Sequence, residues 1–224
     1  MNDPISGCIE AMQDYYHRRA SIYDASMGYD QPEVVRRHEP VIEYLARRFA
    51  KRSVLEIACG PGFWTDFLAR SASAILATDF NEATLAEARN RNLPSNVTLR
   101  QADAYALPDF GRKFDACFAC DWFCHVPVSK RLDFLEGLHA QLEPGAIVIF
   151  CDQMPRDGAN NGQSDPEGNN IQIRTLPDGS RYEVIKNFPT RSELAALLSK
   201  FTTATGMVGF PDSRRYIVEY HLDK

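Results

Sequence analysis

Two glycines around a proline, placed directly after an apolar run that carries a single acid, are the first residues in this chain whose types suggest chemistry. The stretch is "VLEIACGPGFW", residues 54–64, with Glu56 inside its apolar part. Gly60 and Gly62 let backbone come close to a ligand, and a helix starting near Gly62 aims unpaired amide groups at any anionic part of it. A dinucleotide turn requires G-x-G-x-x-G so that its backbone wraps a pyrophosphate. Here "ACGPGF" has Ala58, Gly60 and Gly62 at alternate positions and no third glycine. Glu56, within a strand just before the turn, would repel a diphosphate, whereas it can face a cationic ligand or fix the loop by accepting hydrogen bonds.

A second group invites a metal. "CFACDWFCH" sets Cys117, Cys120, Cys124 and His125 at spacings compatible with zinc or an iron–sulfur cluster. "FDACFACD" reads as a buried strand, however, and side chains three positions apart on a strand point to opposite faces, so Cys117 and Cys120 cannot share an ion without a break. These cysteines are expected to be small core hydrophobes, with no metal site. Together with Cys8, Cys59 and Cys151 they lie in a mid-sized chain without a secretion signal, where reduced thiols are expected.

The elements that must position these residues alternate along the chain. Apolar runs at 53–59, 73–79, 97–103, 114–121 and 146–152 read as strands, and "GFWTDFLARSA", "NEATLAEARNR" and "SKRLDFLEGLHAQL" between them read as helices. Each parallel step needs a crossover, so this order implies a parallel sheet covered on both faces. After residue 152 comes a loop rich in Gly, Asn and Asp, then "IQIRTLPDGSRYEVIKNF", where "DG" between alternating runs signals a hairpin. Helix "TRSELAALLSKF" leads into "TATGMVGF" and "RRYIVEYHL", two strands joined by a short turn and therefore antiparallel neighbours. The first ~40 residues have a helical pattern. The fold class expected is α/β, one domain over 1–224, with a doubly wound sheet of about seven strands, mostly parallel with an antiparallel last strand. A helical N-terminal segment (1–45) and a loop with hairpin (153–189) are added to it.

Composition agrees. A chain of 224 residues with 44% hydrophobic and 25% charged residues falls within the range of soluble globular domains. A formal net charge of −5 argues against a phosphate-neutralising surface, hence against nucleic acid as partner. No apolar run approaches the ~18 residues of a membrane span, and "MNDPISGC" lacks the regions of a signal peptide, so a cytoplasmic protein is expected.

In an open parallel sheet, ligands bind at the carboxyl ends of the strands where the strand order reverses, which places "ACGPG" in the site. At this point the residues resemble the class I S-adenosylmethionine-dependent methyltransferases, whose first motif runs acid-x-Gly-x-Gly-x-Gly at this place. Here it reads Glu56, Ile57, Ala58, Cys59, Gly60, Pro61, Gly62, with Ala58 in place of the first glycine. The resemblance continues at "ATDFN", where Asp79 is similar to the acid that takes both ribose hydroxyls and Phe80 follows it. At "QADAYALP", Asp103 matches the acid that accepts from the adenine amino group, Ala104 the residue whose backbone reads the ring, and Tyr105 packs nearby. "YYHRRASIYD" is similar to a segment that folds over the cofactor as a lid, with Tyr16, Arg19 and Tyr23 as donors to the methionine carboxylate. The resemblance runs from residue 15 to the end of the chain. It implies a Rossmann-like fold, S-adenosyl-L-methionine as cofactor and S-adenosyl-L-homocysteine as product.

A sulfonium carries an activated methyl, so such a protein needs only to hold a nucleophile in line about 3 Å away, exclude water and manage one proton. No metal is required. The end of strand four borders the methyl group, which singles out Asp121, Trp122 and His125: Asp121 and Trp122 as residues facing the cofactor, Asp121 and His125 as catalytic candidates. With an ordinary pKa near neutrality, His125 suits a general base or an orienter of the acceptor, the alternative being a histidine that ties down a loop. Trp122 and Phe123 are expected to shape an apolar pocket or pack on the cofactor. His17, His38 and Tyr29 are further candidates. On the hairpin, Arg174, Tyr182 and Lys186 either meet an acidic or phenolic acceptor or form a solvated face. The function expected is methyl transfer to N or O of a small-molecule acceptor; the alternatives are an NAD(P)-dependent oxidoreductase and a non-catalytic S-adenosylmethionine-binding module.

Overall fold

The computed structural model describes residues 4–155 and 162–223. Three helices come first: α1 (Pro4–Arg19), α2 (Tyr23–Met27) and α3 (Pro32–Phe49), the last opened by Pro32, whose missing N–H costs nothing in a first turn. The alternating part follows as β1 (Ser53–Ile57), α4 (Phe63–Ala69), β2 (Ala74–Asp79), α5 (Glu82–Asn90), β3 (Val97–Gln101), β4 (Phe114–Cys120), α6 (Arg131–His139) and β5 (Leu142–Gln153). Then come β6 (Gln163–Ser164), β7 (Asn170–Thr175), β8 (Arg181–Ile185), α7 (Arg191–Leu198), β9 (Thr205–Phe210) and β10 (Arg215–His221). A capping box starts α7, Thr190 Oγ1 accepting from the Glu193 N–H at 3.2 Å while Glu193 Oε2 accepts from the Thr190 N–H at 2.6 Å.

The main sheet has the order β3-β2-β1-β4-β5-β10-β9, with β10 antiparallel to both its neighbours and all other pairs parallel. This is the doubly wound arrangement expected from the alternation, with one reversed strand. The central strands are apolar on both faces because helices cover both. Val54, Ala116 and Phe118 join one core with α3 and α4, whereas Leu55, Ile57, Cys117 and Ala119 join the other with α6 and α7. Cys117 and Cys120 therefore lie on opposite faces of β4, as the strand period requires.

Strands β1 and β3 stop two residues earlier than their apolar runs suggest, so residues 58–62 and Asp103 sit beyond the strand ends, in the loops. Strand β5 is longer than expected because it continues at its start alongside β4 and at its end alongside β10. Strands β6, β7 and β8 form a separate antiparallel sheet, turned at Leu176–Ser180 with Gly179 at φ 86. This hairpin packs directly on α1 through a third apolar cluster of Met12, Tyr15, Leu176, Val184 and Ile185. Of the two added segments, α1 of the first and the hairpin of the second thus pack on one another. Residues 1–3 of the first and 156–161 of the second lie outside the described residues. Among the described residues no helix is long and apolar enough to cross a membrane.

Candidate active site

The strand order reverses between β1 and β4, and the carboxyl ends of the strands there open into a cleft. Its floor is the turn after β1. Ala58 takes φ 52, a left-handed conformation that costs an alanine energy because of its Cβ. Gly62, at φ 83, is required for a second reason: a Cβ there would press on Ala88 and Leu93 at 3.4 Å, where α5 closes on the turn.

Asp79, the last residue of β2, ties this turn to the neighbouring strand. Its Oδ2 accepts from the Gly60 N–H at 3.0 Å and its Oδ1 from the Asn81 N–H at 2.9 Å. Burial pushes its pKa up to about 6, held back by those backbone donors. Asp103, past β3, accepts from the Tyr105 N–H at 2.9 Å and lines the same cleft with Ala104 and Tyr105. Phe80, Asp121, Trp122, His125, Tyr16 and Tyr23 complete the set of anticipated residues that the fold brings to this cleft, with Ala58 and Gly60. Two of its walls carry polar atoms for which the protein supplies no hydrogen-bond partner, the Tyr105 hydroxyl and the Trp122 indole N–H, both buried.

Other anticipated residues lie elsewhere. Glu56, Cys59 and Pro61 line a smaller adjoining cavity of about 310 Å³, together with Tyr23 and Tyr29. Glu56 is 2% exposed, and burial pushes its pKa up to about 8, with Asp79 adding repulsion. The free protein therefore keeps it protonated at neutral pH, so it is not the standing negative charge expected from the sequence, and its Oε2 has no partner. Gly62 serves the packing of α4 and α5 rather than the cavity wall. Arg19 turns to Ser26, donating through Nη2 at 2.7 Å, and its guanidinium covers the Tyr23 ring at 4.7 Å. It does not line the cleft as a carboxylate donor would.

His125 corrects a further expectation. It is buried, its Nδ1 meets the carbonyl of Ile185 on β8, and its Nε2 lies 2.9 Å from the Tyr16 hydroxyl. Burial, aided by the nearby Lys186 ammonium, pushes its pKa down to about 3. Burial thus favours the neutral ring in the free protein, and both of its nitrogens have partners. Asp121, at φ 53, sits 2.9 Å from Arg215 Nη1 and 3.9 Å from Lys186 Nζ. Burial would raise its pKa, but the two cations more than offset this and hold the carboxyl below its usual range.

Phe123 stacks on Phe150 in the core, centroids 4.8 Å apart, and shapes no pocket. His38 is packed against Trp64 with its pKa pushed down by burial to about 4, and His17 is exposed. Tyr29 stacks on Phe63 and accepts from Arg215 Nη2 at 2.8 Å. On the hairpin, Arg174 donates to Gln172 and the Tyr182 hydroxyl accepts from Arg18, both at the surface, whereas Lys186 is buried with its ammonium 3.0 Å from Cys124 Sγ. Residues the sequence reading missed include Ile9, Met12 and Gln13, which line the cleft from α1. Their signal was the spacing 9, 12, 13, 16 on one helix face. Arg215 was missed as well; an arginine opening the apolar run "RYIVEY" was the available hint.

A methyltransferase-domain family model matches residues 54–145. The chain is 41% identical over 114 residues to a probable S-adenosylmethionine-dependent methyltransferase of Mycolicibacterium smegmatis, covering 51% of this chain and 43% of that protein. It is 32% identical over 106 residues to a ubiquinone biosynthesis O-methyltransferase of Azotobacter vinelandii, covering 46% and 45%. The matches thus span less than half the length of these curated relatives. Similarity to DhpI runs end to end: the DhpI-SAM-HEP complex superposes with a TM-score of 0.79 at 30% identity, covering 96% of this chain and 98% of that one. The DhpI-SAH complex gives 0.79 at 28%, covering 97% and 98%. The family model, the curated relatives and the end-to-end likeness at 30% identity agree, and the chain belongs to the class I S-adenosylmethionine-dependent methyltransferase family.

Proposed function

We propose that this protein transfers a methyl group from S-adenosylmethionine to an oxygen or nitrogen of a small-molecule acceptor. The observation that carries this reading is Asp79, whose two carboxylate oxygens are fixed by the Gly60 and Asn81 amides at the floor of a cleft that Asp103 and Ala104 also line. A carboxylate held so suits a vicinal diol, one oxygen per hydroxyl. Asp103 and the Ala104 backbone would receive the adenine edge, with Tyr105 and Trp122 against its faces. Glu56, neutral in the free protein, would ionise beside the cationic end of the cofactor.

When bound, the cofactor supplies a methyl group already activated on sulfur. The protein's share is then placement and exclusion of water. Helix α1 lines the cleft through Ile9, Met12, Gln13 and Tyr16, and the β6–β8 hairpin backs that helix through Tyr15, Val184 and Ile185. On this reading residues 1–45 act as the lid and 153–189 as the acceptor-binding element. Tyr16 and His125 stand where those two covers meet the end of β4, and Asp121 is held still by Arg215. A small acceptor is favoured by the HEP named beside SAM in the DhpI complex and by the O-methyltransferase relatives. We place the reaction in the cytoplasm, on the reading of its six cysteines as thiols.

Calorimetry with S-adenosylmethionine and S-adenosylhomocysteine is expected to show saturable binding of each. A transfer assay with the labelled methyl group, run first on HEP and then on phenols, aliphatic alcohols and amines, reads the acceptor. Absence of binding by both nucleosides overturns the function.

A further inference from the structure

Hydrogen-bond direction at one end of the cleft is set by a single backbone carbonyl. The oxygen of Ile185 can only accept, so the His125 nitrogen that meets it, Nδ1, carries the ring proton. Nε2 then has a lone pair and no proton, and the Tyr16 hydroxyl 2.9 Å away is the donor of that bond. A hydroxyl has one proton, and this one is committed to His125. What Tyr16 presents to the cleft is an oxygen with lone pairs only. An imidazolium would reverse the second link, but burial and Lys186 keep the ring neutral.

The charges that face this pair are already engaged. Lys186 Nζ is 3.0 Å from Cys124 Sγ and 3.9 Å from Asp121, Arg19 is bonded to Ser26, Arg174 to Gln172, and Asp121 to Arg215. A carboxylate brought to the Tyr16 oxygen would meet lone pairs rather than a proton. Tyr16 and His125 line the main cleft but not the smaller cavity beneath the glycine turn, which separates them from Glu56.

We propose that Tyr16 determines acceptor specificity: its oxygen takes a hydrogen bond from an O–H or N–H of the methyl acceptor, so that end of the cleft admits hydroxyl- or amine-bearing molecules and disfavours carboxylates. His125 is the positioning residue that fixes the direction of the Tyr16 bond. The inference rests on the methyl-transfer reading and adds the class of acceptor.

Two measurements test it. Nitrogen-15 spectra of histidine-labelled protein read the tautomer directly: His125 is expected as the Nδ1–H form from pH 5 to 8, and an Nε2–H form overturns the inference. The protein saturated with S-adenosylhomocysteine is then titrated with benzyl alcohol and with benzoate. The wild type is expected to prefer the alcohol by about tenfold or more, the worth of one hydrogen bond against an unpaired carboxylate. His125→Phe releases the Tyr16 proton and is expected to move that ratio about tenfold toward benzoate, while Tyr16→Phe removes the preference. Equal or tighter benzoate binding by wild type, a ratio unmoved by either variant, or binding of neither probe overturns the inference. If His125→Phe does not fold, Tyr16→Phe alone reads the ratio. Binding of S-adenosylhomocysteine by each protein tells the two failures apart: without it the function itself falls, and with it only the role of Tyr16.

Discussion

Arg215 Nη1 lies 2.9 Å from Asp121 Oδ1, and both side chains are buried, at 2% and 9% exposure. The same guanidinium donates to the Tyr29 hydroxyl at 2.8 Å and covers the Trp64 ring at 5.1 Å. One side chain from the reversed strand β10 thereby joins the end of β4 to the helical N-terminal segment, and it does so directly under the cleft.

Removing one partner of a buried pair leaves the other charge unpaired, which costs about 3–5 kcal/mol, far more than the pair itself contributes. Arg215→Met is therefore expected to destabilise the protein by that amount in urea unfolding, with Lys186 supplying only partial compensation for Asp121. Asp121→Asn is expected to be costly alone and much less so in the Arg215→Met background. Additive costs in the double-mutant cycle would show that the two groups are not coupled.

Cofactor affinity is expected to depend on pH through Asp79. Its carboxyl titrates at about 6 in the free protein because burial disfavours the charge. A ribose diol donates to the ionised form, so at pH values below 6 binding must first remove a proton. In a Glu56→Gln background, which removes the proton Glu56 would itself release on binding, affinity for S-adenosylhomocysteine is expected to be level above pH 7 and to fall roughly tenfold for each unit below 6, measured by calorimetry. Asp79→Asn is expected to weaken binding by ~1–3 kcal/mol and to flatten this profile. A profile that keeps its slope in the variant assigns the proton to another group.

The sheet was legible because its signals are local: apolar runs of strand length, helix periodicity between them and a glycine turn where the first strand ends. Asp79 and Asp103 could be placed for the same reason, each standing at or just past a strand end. What could not be read depends on contacts between distant residues. Tyr16 and His125 are 109 positions apart, and nothing near either specifies the bond between them. The His125 pKa follows from a hairpin 60 residues away that both buries the ring and brings Lys186 beside it. Arg19 shows the converse: an arginine in a recognisable segment is diverted by Ser26, seven residues on, a partner the segment's pattern does not include.

Glu56 makes stability fall with rising pH. Its folded-state pKa of about 8 lies above the ordinary value of 4.5, so between these the folded protein holds a proton that the unfolded chain has released. Stability contributed by this group is complete below about 4.5 and is lost as pH rises through 8. Asp79 acts with the same sign between 3.8 and 6, and the buried His125 and His38, lowered from 6.5, act with the opposite sign below about pH 7, so Glu56 is read from the change that Glu56→Gln makes to the profile. Glu56→Gln is expected to remove the decline between pH 7 and 8 and to raise Tm at pH 8.5 by at least ~2–4 °C, equivalent to about 1 kcal/mol in a chain of this size. An unchanged pH dependence of Tm refutes the assignment.

Ala58 is the place where the first motif departs from glycine, and the backbone shows the cost. At φ 52 an L-residue brings its Cβ against the adjacent carbonyl, a penalty of roughly 1–2 kcal/mol that glycine escapes. Ala58→Gly removes that penalty but adds about 0.4–1 kcal/mol of unfolded-chain entropy. The net is a small stabilisation, expected as a rise of ~1–3 °C in Tm. Asp121, at φ 53, offers the control: an acid with a short polar side chain tolerates this region better, and Asp121→Gly also discards the pair with Arg215, so it is expected to lower Tm. Because Ala58 lines both cavities, the same Ala58→Gly change widens the wall between them, and affinity for S-adenosylhomocysteine is expected to hold or increase. A loss of both stability and affinity would mean that the Ala58 methyl packs on the cofactor and that its left-handed turn is maintained for that contact.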